Sequence, residues 1–401
     1  MSKTAYTAHD AFHRKLNVPS TQAISLPKGY RHHLQKIASQ QTPSWGSWFS
    51  IRISEKNVTI DNLFIEFTVS SLTGLTVTSS GTAGYLPAHF WAQRIDIYLG
   101  SQLIESIPAT AGFLINQLLV PQSEEKRLLT NTAAGLYSSH TARATKSAGT
   151  DVWYLPVSSF WRQASFPLMD GMPDLEIRIQ MANLSDSFSL TSGSTASGTP
   201  ASTFTGCNAV CQFSRLPASV SNYTRALMSK SPLHYGYQDI QTGTYTVSSG
   251  VTTTNIVLSS ITGFVSSLFF VLRTTSPANA NLITYSTALS SFEILSAGSE
   301  NIVGGQPILE SQNRLIMCGS WLPVTFTNES AGVYMYSWSY DPKETFDTNA
   351  QLSGHHFTGS EVLKLNFSSS LGSAISVDVY AMTYSAIEVG NGAIRKIALS
   401  E

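Results

Sequence analysis

The chain has 401 residues, of which 42% are hydrophobic and 12% charged, with a formal net charge of −1. That length is too great for one ordinary β-sandwich and suits two domains of about 150–200 residues, each able to bury a core. A chain rich in Thr, Val, Ile and aromatics but poor in Lys and Glu reads as mostly β, and charge this sparse leaves much of its surface to be covered in an assembly.

The near-zero balance hides an asymmetry. Residues 1–44 are expected as a basic arm, with Lys3, Arg14, Lys15, Lys28, Arg31 and Lys36 against a single acid, Asp10. Such an arm, which also carries His9, His13, His32 and His33, suits nucleic acid, anionic lipid or an acidic partner. Equally, it reads as a solvated or strand-swapped tail that orders on a neighbour. No N-terminal apolar run has signal-peptide length and no window approaches a transmembrane span, so synthesis in a cytosol-like space without a signal peptide is expected.

The first β-domain is expected over 45–217. Residues 45–53 and 58–69 alternate at period two and predict strands. A hairpin spans 94–107 around Gly100-Ser101-Gln102. Pro108 then opens a helical stretch, 109–120, in which Phe113, Leu114 and Leu118 recur at helical spacing; Glu124 to Arg127 continue it towards Gly135. Strands return at 151–161 and 165–181. Residues 185–206, nearly all Ser, Thr, Gly and Ala, read as a surface excursion before a last strand at 209–216. Residues 218–232 are expected to connect to a second β-domain over 233–401, with strands near 244–247, 255–258, 265–272, 332–340, 361–367 and 375–387.

Two segments are written twice. The hairpin at 94–107 is echoed at 292–303 around Gly298-Ser299-Glu300, and the Trp-containing strand at 151–161 is echoed in the same order at 332–342. Repeated segments in conserved order point to a duplicated β-sandwich in each half.

Chemistry is hard to find. No P-loop, Rossmann glycine fingerprint, nucleophile elbow, HExxH or CxxC is present. His355-His356 face opposite ways on a strand and lack a third ligand at metal spacing. Asp96, Asp170, Asp174 and Glu176 are better read as turn caps and surface charges than as a glycosidase pair. Trp48, Trp91, Trp153, Trp161, Trp321 and Trp338 are better read as core or subunit-contact residues than as a sugar-binding set. Cys207, Cys211 and Cys318 cannot complete a disulfide framework and are expected as buried small apolar groups in a reducing compartment.

In order along the chain, these segments resemble the double jelly-roll major capsid proteins of large eukaryotic DNA viruses, virophages, polinton-like viruses and related tailless phages. The resemblance lies in Ile95 to Glu105 leading into Phe113 to Leu119, in Leu155-Pro156 to Phe160-Trp161, and in Phe166-Pro167 to Ile179. It continues through Arg225, His234 to Tyr237 with Gln238 or Gln241, and then Val333 to Pro342, Leu352 to Gly354, Val377 to Tyr384 and Gly390 to Gly392. Ser353-Gly354-His355-His356-Phe357-Thr358 and Gly100-Ser101 depart from the family pattern and leave the subgroup open.

The resemblance implies an all-β fold of two tandem antiparallel β-sandwiches, with a short helix in the first and an extended N-terminal arm. It implies a structural protein of the virion shell, not an enzyme, with no cofactor, metal or small-molecule substrate. Three copies would form a pseudo-hexagonal capsomer, and capsomers would tile an icosahedral lattice with penton and minor capsid proteins. The arm cations would face an inner membrane, a minor protein or the genome. Phe113, Leu114, Leu118 and Trp161 are expected at subunit contacts. A carbohydrate-binding or adhesin-like pair of β-sandwiches is the rival reading.

Overall fold

The computed structural model describes residues 32–398 except 79–80, 119–123, 137–139, 162–165, 192, 231, 275–285, 287, 298–299, 304, 310–311, 313–331, 340–353 and 391–392. The strands up to the long excursion are β1 (His32–Ala38), β2 (Trp48–Ile53), β3 (Val58–Val69), β4 (Thr73–Val77), β5 (Ala83–Tyr85), β6 (Ala92–Leu99), β7 (Gln102–Pro108), β8 (Asp151–Pro156), β9 (Phe166–Leu168) and β10 (Leu175–Met181). They are followed by β11 (Phe188–Leu190), β12 (Ala196–Ala201) and β13 (Phe204–Arg215). Helices α1 (Ala109–Leu118), α2 (Glu124–Ala133) and α3 (His140–Ser147) lie between β7 and β8 in sequence, and α4 (Ala218–Met228) follows β13. The remaining strands are β14 (Leu233–Val247), β15 (Thr253–Val257), β16 (Thr262–Thr274), β17 (Leu289–Leu295), β18 (Ile308–Leu309), β19 (Val333–Ser337), β20 (His355–Thr358), β21 (Val362–Phe367), β22 (Ile375–Gly390) and β23 (Ala393–Ala398).

One strand order occurs twice. The first set gives two antiparallel sheets, β1-β13-β3-β8 and β2-β10-β6-β7; the second gives β14-β22-β16-β19 and β15-β21-β17-β18. Numbering the eight principal strands of each set in chain order, both read first–eighth–third–sixth in one sheet and second–seventh–fourth–fifth in the other. This is the two-sheet Greek-key order of a jelly roll. The first echoed hairpin spans β6 and β7, the fourth and fifth strands of its set, whereas its counterpart starts on β17, the fourth strand of the second set, and ends before β18; the echoed Trp-containing segments overlap the sixth strands, β8 and β19, and Gly298 and Ser299 themselves lie outside the described residues.

Strict alternation builds the sheets. In β10, Leu175, Ile177, Ile179 and Met181 are buried while Glu176, Arg178 and Gln180 point the other way, as a two-residue period requires when one face covers a core. The first core is dominated by aromatic rings. Trp91 lies 5.0 Å from Trp153, 5.3 Å from Tyr85 and 5.9 Å from Phe67, centroid to centroid. In the second core, Leu268, Phe270 and Leu272 of β16 join Val377 and Val379 of β22 and Leu363 and Leu365 of β21.

Contacts divide the described chain into two units: residues up to Tyr237 with Ser385–Ile397, and Gln238 to Tyr384 with Ala398. Two expected boundaries are thereby shifted. The first roll begins before residue 45, because 32–38 is not arm but β1, paired with β13 from His32↔Ser214 to Ala38↔Asn208. Residues 218–232, expected as the connection, hold α4 over Ala218–Met228. The change of unit falls after Tyr237, because the rings of Tyr235 and Tyr237 are buried against Phe160, and Tyr235 also packs on Phe166 at 4.6 Å.

The connections of the first unit gather by type. Those between β3 and β6, β7 and β8, and β10 and β13 meet one another: β5 pairs with β11, β4 with β12, and Ser147 at the end of α3 accepts a 2.8 Å hydrogen bond from the Tyr85 amide. The excursion at 185–206 is thus partly ordered as strand. The helical stretch expected over 109–120 and 124–127 is two helices, with α3 as an unforeseen third.

Beneath them His89 is 2% exposed, edge-on to Phe113 at 5.3 Å, and neither ring nitrogen has a partner among the described residues. Burial pushes its pKa from 6.5 down to about 3. The imidazole stays neutral in the fold while the unfolded chain takes up a proton below about pH 6.5, so stability is full above that pH and falls as pH drops towards 3. Thermal melts across this window are expected to show a shallower loss of stability for His89→Leu than for the wild type; parallel slopes would contradict the assignment.

Candidate functional site

Among the described residues no catalytic constellation forms. The four acids considered as a glycosidase pair each hold a nearby partner. Arg52 and Lys56 reach Asp174 at 2.7 and 2.8 Å, Asn57 donates to Asp170 at 2.8 Å, Arg94 lies 3.1 Å from Asp96, and Arg178 donates to Glu176 at 2.9 Å. The Lys56 hydrogen bond, helped by that of Arg52, outweighs burial and holds the Asp174 carboxyl below the usual range. These residues pin the β2–β3 turn to the loop before β10. The same loop receives the β6–β7 turn, where Gly100 has φ +61° and its amide donates to the Asp174 carbonyl at 2.9 Å.

His355 stacks on Trp338 at 5.9 Å, and no group of three or more His, Cys, Asp or Glu residues is placed to hold a metal ion among the described residues. Cys207 and Cys211 are buried, and burial pushes both thiols up to about 12. Cys318 and Trp321 lie outside the described residues. Among the described helices none is long and apolar enough to cross a membrane.

The residues expected at subunit contacts lie elsewhere. Phe113, Leu114 and Trp161 are 5%, 2% and 2% exposed within a single chain. The spacing that marked α1 as amphipathic describes the face it packs on its own unit, so these side chains have no surface to offer a neighbour. The side chain of Leu118 lies outside the described residues, as do Lys3, Arg14, Lys15, Lys28 and Arg31.

Lys36 is described, and it is part of the sheet. On the face of β1-β13-β3-β8 turned away from the core, Lys36 Nζ donates to Glu66 Oε1 and Oε2 at 2.9 and 2.7 Å, Tyr154 Oη to Oε2 at 2.9 Å, and Asn208 Nδ2 to Oε1 at 3.1 Å. One side chain from each of four strands meets at this carboxylate. Burial drives the Glu66 carboxyl up, but the three donors outweigh it and hold it below its ordinary range. The arm reading therefore loses one of its six cations to a structural row.

Trp48, Asp96 and Glu176, each weighed separately in the sequence, come together on the outward face of the other sheet. There Trp48 of β2 is 43% exposed, the Arg94 guanidinium lies 5.2 Å over its ring, and that of Arg178 lies 4.4 Å over Tyr98. Together with Gln41, Asp96 and Glu176 they line an open pocket of about 360 Å³. The signal was available in the sequence: Trp48-x-Ser50-x-Arg52, Arg94-x-Asp96-x-Tyr98 and Glu176-x-Arg178-x-Gln180 are three outward sets at period two. Of the other tryptophans considered for sugar stacking, Trp91, Trp153 and Trp161 are buried and Trp338 is half-buried against the second core.

Neither a protein-family model nor a curated protein matches the chain. Solved structures do. A chain of the PBCV-1 virus capsid is 16% identical, with a TM-score of 0.63 and coverage of 95% of this chain and 100% of that one. The Faustovirus major capsid protein is 8% identical, with a TM-score of 0.61 and coverage of 94% and 92%. A chain from the Sputnik virophage is 11% identical, with a TM-score of 0.63 and coverage of 94% and 90%. At such identities likeness speaks for architecture, and two jelly rolls in tandem over nearly the whole length is what these chains share: the protein has the double jelly-roll fold of viral major capsid proteins.

Proposed function

We propose that this chain is a viral major capsid protein whose three copies form a pseudo-hexagonal capsomer, and that capsomers tile an icosahedral virion shell. The observation that carries the reading is the same eight-strand order written twice in one chain, over nearly the full length of chains from virus capsids. Two like rolls per chain give three chains six similar corners, the count a hexagonal lattice needs. Weak contacts repeated with closed symmetry then hold the shell. Penton and minor capsid proteins are the expected partners at its vertices and inner side, and contacts inside the shell are assigned to the basic segment preceding β1.

Sedimentation of purified protein should give one species of three times the 43.4 kDa chain mass, and micrographs of assembled particles should show three-fold capsomers. A monomer at every concentration would overturn the reading, and saturable binding on a glycan array would favour the adhesin-like rival.

A further inference from the structure

The Glu66 carboxylate gathers three strands that the core holds unequally. β1 is an edge strand of β1-β13-β3-β8 and has no fully buried side chain. On its exposed face Lys36 stands opposite Val210, and Asn208, which pairs with Ala38, is its diagonal neighbour on β13. Glu66 lies opposite Asn208 on β3. Lys36 Nζ, at 2.9 Å, and Asn208 Nδ2, at 3.1 Å, meet on the same oxygen, Oε1 of Glu66.

An amine and a carboxamide held on one carboxylate are the parts of an amide exchange: a nucleophile, an electrophile and a group that moves protons. Groups fixed in contact react as if at very high concentration, and a positioned carboxylate supplies acid–base catalysis. Glu66 is 5% exposed and Val210, beside the amine, 7%. The shared oxygen therefore sits where little water competes for the protons.

We propose that Lys36 and Asn208 become joined by an isopeptide bond, with Glu66 carrying the protons. The Nζ lone pair attacks Cγ of Asn208; the Nζ–Cγ bond forms and the Cγ–Nδ2 bond breaks. Glu66 takes two protons in turn from Nζ. It gives the first to Nδ2, which leaves as ammonia, and the second to that ammonia, so ammonium is the one by-product. Nothing is oxidised or reduced, and no further reactant is needed. The hydrogen bond to Glu66 also keeps Nζ charged, so attack waits on proton transfer within the pair and the link accumulates slowly after folding. Its product fastens the edge strand that follows the basic segment to the next strand of the sheet. The bond lies within one chain and stands apart from the trimer proposed above.

Peptide mass spectrometry of the purified, folded chain tests it. Trypsin cuts after Arg31, Lys36, Arg52, Arg178 and Arg215. A linked chain escapes cleavage at Lys36 and yields residues 32–52 joined to residues 179–215, lighter than the two peptides together by one ammonia. The linked fraction is expected to rise with incubation. It is expected to be absent from Lys36→Arg, which keeps a cation beside Glu66 but cannot deprotonate to a nucleophile, and from Glu66→Gln, which has no base; melting curves confirm that both are folded. Complete cleavage after Lys36 throughout the incubation overturns the proposal. So does an ammonia loss confined to the 179–215 peptide, or a water loss that joins Lys36 to Glu66. A link that persists in Glu66→Gln overturns the role given to Glu66.

Discussion

Replacing Trp91 by alanine is expected to destabilise the first unit by about 3–5 kcal/mol, the usual cost of deleting a large aromatic side chain from a packed interior. The ring is fully buried and sits within 6.2 Å of Trp45, Tyr85, Phe67, Trp153 and Phe204, centroid to centroid. Its Nε1 donates to the Leu86 carbonyl at 2.9 Å, so truncation leaves a buried acceptor unpaired as well as a cavity. At roughly 2–4 °C per kcal/mol for a unit of this size, the melting transition of the first unit falls by about 10 °C. Trp91→Phe keeps most of the packing but not the hydrogen bond, and its loss is expected at about 1–2 kcal/mol. Scanning calorimetry resolves the effect, because the second unit has its own core and its transition should stay in place. A Trp91→Ala melt within 1 °C of wild type would show that the ring is no part of a packed cluster.

The strands legible in the sequence were those whose alternation is driven by a core. β3 and β10 bury alternate side chains almost completely, and each echoed segment overlaps an equivalent strand of the two rolls, β6 with β17 and β8 with β19. β1 was missed because nothing in it is fully buried: His32, Leu34, Lys36 and Ala38 are exposed and the residues between them only half-buried. What fixes β1 is its ladder to β13 and the reach of Lys36 to Glu66, a residue 30 positions away. β12 was missed for a related reason, being almost wholly exposed and defined by backbone pairing with β4. Phe113 and Leu114 were expected at subunit contacts because helical spacing marks an apolar face without saying what covers it, and both are buried within the single chain. The Trp48 face went unread because its members come from three strands, and only the register of β10 against β2 and β6 brings them together.

Gly135→Ala is the second large effect expected, and it arises from two independent constraints on one residue. α2 ends in a Schellman motif: the Leu136 amide donates to the Asn131 carbonyl at 2.8 Å and the Gly135 amide to the Thr132 carbonyl at 3.0 Å, with Gly135 at φ +82°. A β-carbon in that left-handed position costs about 1–2 kcal/mol by itself. It would also sit 1.8 Å from Cζ3 of Trp153, a fully buried ring held between Tyr85 and Trp91, and overpacking of this kind costs about 1–3 kcal/mol more. The sum, roughly 2–5 kcal/mol, is separable by a double-mutant cycle with Trp153→Leu. Shrinking the ring removes the clash but not the backbone term, so Gly135→Ala in the Trp153→Leu background is expected to cost only about 1–2 kcal/mol. Equal costs in both backgrounds, read from urea unfolding, would mean that the helix end alone sets the effect and that α2 is not seated against the Trp153 ring.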